Sequence, residues 1–139
     1  MTAVYKTRSA EETWELARRF AATLKGGETI CLEGDLGAGK TTFVQGLAAA
    51  LGSKTLASSP TFCIVQEHPA ANLAHMDLYR LSGEDDVLAI GWEDYIDRGF
   101  TIAVEWPERA GTLIPRDAIR IVFRHTGGDG REISIATPR

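Results

Sequence analysis

Gly34-Asp35-Leu36-Gly37-Ala38-Gly39-Lys40-Thr41 fits the spacing G-x-x-x-x-G-K-[ST]. Phosphate chemistry demands these residue types. Successive backbone N–H groups can curl around phosphate oxygens, and glycine permits that curl without a Cβ clash. Lys40 adds a charge that reaches β- and γ-phosphates, and the Thr41 hydroxyl suits Mg²⁺, a cation that takes oxygen ligands and keeps several waters. A helix starting at Lys40 and running on through Thr42 aims its N-terminal partial charge at the same anion. On average residue usage, a random chain of this length matches the pattern about 0.5% of the time. Here the match also falls between a strand-like and a helix-like run, the context it requires. The predicted ligand is a nucleoside triphosphate lying along Asp35 to Thr42.

Hydrolysis needs a second acidic group at the end of a buried strand. "TIAVE" ends in Glu105 and "LAHMD" ends in Asp77. Glu105 is the favoured metal carboxylate because its strand is the more continuously apolar, hence the more central. A loop hydroxyl that senses the γ-phosphate is a further common part, and Thr61 in "SSPTF" (Ser58–Phe62) is the candidate. The chain has no guanine-reading Asn-Lys-x-Asp, which points to ATP rather than GTP. Arg131, in "GDGREIS", is placed to lie over a base or reach a phosphate, or else to sit solvated at a strand end.

These groups need elements to hold them. Ser9 and Glu12 form a Ser-x-x-Glu capping box ahead of a helical stripe of Trp14, Ala17, Ala21 and Leu24, widened by Leu16 and Phe20 and stopped by Gly26-Gly27. Thr29–Glu33 reads as a buried parallel strand. "TTFVQGLAAALG" reads as a helix with Phe43, Val44, Leu47, Ala48 and Leu51 on one face. "FCIVQEH" and "LAHMDLY" read as strands joined by "PAAN", and "SGEDDVLAIGWEDYID" as loosely helical. "TIAVEW" reads as another buried strand, and "AIRIVFRHT" and "REISIAT" as a hairpin across "GGDG". The pattern predicts one α/β domain over residues 1–139, with a mainly parallel central sheet that carries antiparallel hairpin additions.

Composition narrows the function. The 139 residues are 44% hydrophobic and 24% charged, with a net charge of −4. That balance suits a soluble domain, and the net charge argues mildly against a protein that grips nucleic acid by itself through a basic face, while leaving room for a local basic patch. The two cysteines, Cys31 and Cys63, lie in apolar runs and form no Cys-x-x-Cys pair, so buried free thiols are expected. Cys63, His68 and His75 match no common zinc spacing. No apolar run approaches the ~18 residues of a membrane span, and the N-terminus has no signal-peptide core. The expected compartment is the cytoplasm.

Four stretches, "GDLGAGKTTF", "SPTF", "HMDLYRL" and "VEWPERA", occur in this order and at separations that resemble the TsaE family. Its members are bacterial P-loop ATPases of tRNA threonylcarbamoyladenosine synthesis. The resemblance implies a P-loop NTPase-like three-layer fold. It makes Lys40 and Thr41 the P-loop lysine and Mg²⁺ threonine, and Thr61 the switch threonine. Asp77 becomes an acid near the nucleotide, and Glu105 the Mg²⁺-associated carboxylate, followed by the family's tryptophan, Trp106. Arg131 becomes a nucleotide contact, and the segment around Ser9 and Ala10 a further approach to it. The resemblance also implies two partner proteins, TsaD and TsaB, and a tRNA substrate reached through them. Two other readings use the same cradle. A small-molecule kinase would need an arginine-bearing lid, for which only Arg109 and Arg116 are at hand. A regulatory module would bind nucleotide without turnover and would have no use for Glu105, Asp77 and Thr61.

Overall fold

A computed structural model describes residues 1–35, 39–54 and 64–138. Its strands are β1 (Thr2–Thr7), β2 (Thr29–Gly34), β3 (Val65–His68), β4 (Leu73–Asp77), β5 (Thr101–Glu105), β6 (Ile119–Gly127) and β7 (Gly130–Ala136). The α-helices are α1 (Ala10–Ala21), α2 (Lys40–Ala50), α3 (Glu84–Ala89) and α4 (Trp92–Asp97). One mixed sheet runs in the order β1-β7-β6-β2-β5-β4-β3. The four central strands, β6, β2, β5 and β4, pair in parallel. The flanking pairs β1–β7, β6–β7 and β3–β4 are antiparallel. The parallel centre with antiparallel additions is therefore present.

Alternation along the central strands builds a core on each face. Ile30, Leu32 and Ala103 pack with Leu16, Phe20, Phe43 and Leu47 of α1 and α2. Cys31, Ile102 and Val104 point the other way and pack with Met76, Val87 and Trp92. β5, at the middle of the sheet, is buried at all five positions. The Phe43 ring packs tilted against Phe20 and edge-on to Phe123, with centroids 5.7 and 5.5 Å away. The α1–α2 contact is close because position 46 is glycine: a Cβ there would run into the Trp14 carbonyl and lie 3.0 Å from the Ala17 Cβ. Burial pushes the Cys31 thiol up to about 11, outweighing the opposing charge of Arg120, with Glu33 and Glu108 adding to the rise. It is an inert core thiol, as expected; Cys63 lies outside the described residues.

Three features depart from the pattern reading. The N-terminal Thr2–Thr7 is an edge strand, unsignalled because most of its residues are exposed and carry no apolar stripe. The acidic helical stretch is two short helices, broken at Gly91, whose φ of 96° is left-handed. A 3-10 segment, Pro107–Leu113, follows β5 directly. It is introduced by Trp106 at φ 58°, a conformation uncommon for a bulky residue. Glu105 is thus the last residue of its strand, and the chain turns sharply at the next residue.

Candidate active site

β2 leads into the glycine loop, and α2 begins at its end. Gly34 closes β2 at φ 142°, and any Cβ there would collide with the Phe123 carbonyl. Gly39, at φ 102°, is the N-cap of α2 and offers no side chain to satisfy the first N–H groups of the helix. Those donors are left for an anion. Leu36, Gly37 and Ala38 lie outside the described residues, as do Thr61 and the rest of the Ser58–Phe62 loop. Asp35 is exposed, and Thr41 and Thr42 are half-buried in the first turn of α2.

Lys40 folds back over the strand ends. Its Nζ donates to the Gly34 carbonyl at 2.9 Å and stands 3.7 Å from Glu105 Oε1. The other Glu105 oxygen, Oε2, lies 2.8 Å from His75 Nε2. A carboxylate only accepts, so Nε2–H is the donor. Burial pushes the Glu105 carboxyl up, but the hydrogen bond and charge of His75, followed by Lys40, outweigh it and hold the group below its ordinary value. Glu105 is therefore an ionised carboxylate, on a residue that is only 7% exposed.

Asp77 stands opposite Glu105 in the β4–β5 register. Register partners point to one face, so both carboxylates lie at neighbouring parallel strand ends, on the side of α2. The Asp77 Oδ1 accepts from the Tyr79 N–H at 3.0 Å, which turns the chain out of β4. Between the two acids, Glu105 is the one in reach of Lys40. Beside them, Gly34, Lys40, Trp106 and Glu108 line one small cleft. The Trp106 ring packs on Tyr79, centroids 4.9 Å apart, with the Arg109 guanidinium 5.8 Å from its centre.

A second small cleft opens on the other side of the glycine loop, lined by Ala10, Thr13, Gly39, Thr42, Asp129 and Arg131. The Arg131 stem runs within 3.7 Å of where a Gly39 Cβ would sit. Its Nη1 donates to the Gly128 and Gly130 carbonyls at 3.0 and 2.8 Å, which aims the side chain along the hairpin turn. Ser9 does not line this cleft. Its hydroxyl accepts from the Glu12 N–H at 3.1 Å and caps α1, while the Glu12 carboxylate takes the Arg8 N–H at 2.7 Å. Ala10, next to it, does reach the cleft. Lys40, Glu105 and Asp77 thus assemble on one side of the loop, and Thr42 and Arg131 on the other.

Among the described residues no three His, Cys, Asp or Glu side chains cluster as a metal cage. Mg²⁺ needs none, because it is held through one or two protein oxygens and its own waters. An ionised, largely buried Glu105 and the half-buried Thr41 in the first turn of α2 are oxygen donors of the kind that could hold such a cation. No helix among the described residues is long and apolar enough to cross a membrane.

Comparison with known proteins shows the family of the chain. A family model described as threonylcarbamoyl adenosine biosynthesis protein TsaE matches residues 7–133. The chain is 39% identical over 132 residues to the Bacillus subtilis tRNA threonylcarbamoyladenosine biosynthesis protein TsaE, covering 94% of this chain and 82% of that one. It is 47% identical over 105 residues to the Aquifex aeolicus protein of the same name, covering 73% and 74% of the two chains. The crystal structure of Bacillus subtilis YdiB superposes with a TM-score of 0.82 at 33% identity, over 99% of this chain and 86% of that one. The chain belongs to the TsaE family.

Proposed function

We propose that this chain is a cytoplasmic, Mg²⁺-dependent ATPase of the P-loop NTPase type. Its hydrolysis of ATP would support threonylcarbamoyl modification of the adenosine beside the anticodon of tRNA, with TsaD and TsaB as partners. The pathway rests on family membership and on the names of the similar proteins. The chemistry is supported above all by one observation, the Lys40 ammonium held between the Gly34 carbonyl and the Glu105 carboxylate.

In this reading the resting lysine already sits where phosphate charge will arrive. A triphosphate entering the loop offers Lys40 a denser negative charge than Glu105 does. Lys40 would turn to the β- and γ-oxygens, and Glu105 would then be free to hold the cation. Thr41 adds its hydroxyl. When bound, Mg²⁺ neutralises charge on the β- and γ-phosphates. Asp77 stands next to Glu105 and orients water near the γ-phosphate, and Thr61 senses that phosphate. At the nucleoside end, Arg131, Thr42 and Ala10 flank the ligand. The loop backbone from Asp35 through Leu36, Gly37, Ala38 and Gly39 cradles the phosphates.

The deciding experiment measures ADP and phosphate release with and without the TsaD–TsaB pair, in the absence of any small-molecule acceptor. We expect slow release alone and clear acceleration by the pair. Charge or ordering supplied in trans accelerates other P-loop enzymes about 10³–10⁵-fold. tRNA should bind the isolated protein weakly, because the chain is acidic overall and tight binding takes several Lys or Arg phosphate contacts. Release that requires an added acceptor would make the protein a kinase. Absence of ATP binding would remove the ATPase reading altogether.

A further inference from the structure

His75 is fully buried, yet it is spent on a single polar contact. Its Nε2 meets Glu105 Oε2 at 2.8 Å, and its Nδ1 has no hydrogen-bond partner among the described residues. The fold dictates this meeting. His75 pairs with Ala103 and Asp77 with Glu105 in the parallel register of β4 and β5. Residues two apart on a strand share a face, so His75 lies diagonally behind Glu105 on the α2 side of the sheet. An imidazole serving only to fill the core would be a poor choice there, since a buried polar ring costs free energy that an aliphatic side chain does not.

We propose that His75 is a positioning residue that anchors one oxygen of Glu105, so that the other, Oε1, is the oxygen presented to Lys40 and to the nucleotide-bound cation. The inference rests on the reading of Glu105 as the Mg²⁺-associated carboxylate. The distances separate the two neighbours of Glu105. The 3.7 Å approach of Lys40 exceeds hydrogen-bond length and leaves the carboxylate free to rotate. The 2.8 Å contact with His75 does not. His75 also keeps its hold when Lys40 leaves for phosphate. Partners behind a metal carboxylate set its orientation, and their loss typically lowers metal affinity about 10–100-fold.

Substituting His75 distinguishes positioning from packing, because the two ring nitrogens sit at different reach. The amide nitrogen of glutamine extends about as far as Nε2, and that of asparagine only as far as Nδ1. We would measure Mn²⁺ binding by electron paramagnetic resonance with a non-hydrolysable ATP analogue. The affinity of the same analogue in EDTA and a thermal melt would be recorded for each variant. The expected result is a loss of about 10–100-fold in Mn²⁺ affinity for His75→Leu and His75→Asn. Metal-free nucleotide affinity should stay unchanged, and His75→Gln should recover most of the Mn²⁺ binding. Should His75→Leu fail to fold, the Gln and Asn variants carry the comparison. A folded His75→Leu protein with wild-type Mn²⁺ affinity, or Gln and Asn variants that behave alike, would overturn the positioning role. A Glu105→Ala protein with unchanged Mn²⁺ affinity would instead remove the assignment of Glu105 itself.

Discussion

Replacing Lys40 with alanine should damage the protein in two separable ways. The first is stability. The ammonium donates to the Gly34 carbonyl at 2.9 Å and lies 3.7 Å from Glu105 Oε1, with side chains only 12% and 9% exposed. At that separation the gross attraction is about 4.5 kcal/mol for an effective dielectric constant of about 20. Breaking a buried pair from one side typically costs about 3–5 kcal/mol. Glu105 keeps His75, so the lower end applies, about 3 kcal/mol. For a chain of this size that is a fall in Tm of roughly 10 °C. Part of this loss depends on pH. The depressed Glu105 carboxyl stabilises the wild-type fold above its ordinary value of 4.5, and that contribution is lost as pH falls through the lower folded value. In the variant, burial still pushes the carboxyl up but Lys40 no longer opposes it. The Tm gap should therefore be widest near neutrality and narrow as acid protonates Glu105.

The second effect is on turnover. Donors aimed at developing charge are worth about 10²–10³ in rate, so ATP hydrolysis should fall by that factor even at temperatures where the variant is fully folded. Thermal melts across pH and phosphate-release assays on the same preparations separate the effects. A Tm gap that is the same at pH 7 and in acid would refute the resting Lys40–Glu105 pair. Wild-type turnover in a folded variant would refute the phosphate role.

Thr41→Ala and Glu105→Ala should each weaken Mg²⁺-dependent nucleotide binding about tenfold or more, as loss of one charge-assisted contact implies, with metal-free binding nearly unchanged. If equilibrium dialysis instead assigns that loss to Asp77→Ala and spares Glu105→Ala, the metal carboxylate is on β4. ATP·Mg²⁺ should change the intrinsic fluorescence, and Trp106→Phe should abolish most of the change, because Trp106 shares a cleft with Lys40 while Trp92 is buried in the opposite core. A signal that survives in Trp106→Phe and vanishes in Trp92→Phe would move the site. Gly46→Ala should destabilise the fold by about 1–3 kcal/mol through overpacking of α1 on α2, read as a lower urea midpoint at unchanged slope; an unchanged midpoint would mean the helices part freely.

The central part of this fold is readable from sequence because its signals are local. A capping serine, Ser9, precedes α1, two glycines mark the ends of the loop, and apolar runs mark β2 and β5 as strands buried on both faces. Tertiary context decides the rest. Thr2–Thr7 is a strand because β7 offers it a free edge, with Val4 opposite Ser134 and Lys6 opposite Glu132; nothing in its own polarity pattern says so. The break at Gly91 is visible as a glycine, but a glycine inside a helical pattern is as often tolerated as obeyed. The left-handed turn at Trp106 runs against the preference of the residue itself, and only Pro107 immediately after it hints at an end to the strand.

The site divides along the same line. Lys40 and Thr41 are candidates legible from spacing, and Glu105 from its place at the end of an apolar strand, since a phosphate loop and a strand-end acid are short local signals. His75 is not, because its meaning depends on which strand lies beside which and in what register. With β4 slipped by one residue against β5, the imidazole would face the other core and Glu105 would lose its anchor, while the sequence would read the same. Register is set by burial on both faces, with Leu73 in one core and Ala74 and Met76 in the other. The apolar residues of β4 therefore have a second consequence besides stability. By fixing which face His75 occupies, they fix the direction in which Glu105 can point. A packing change at Met76 that shifted β4 along β5 should then reach the cation through His75, and move Asp77 at the same strand end with it, altering metal affinity while leaving Lys40 and the glycine loop untouched.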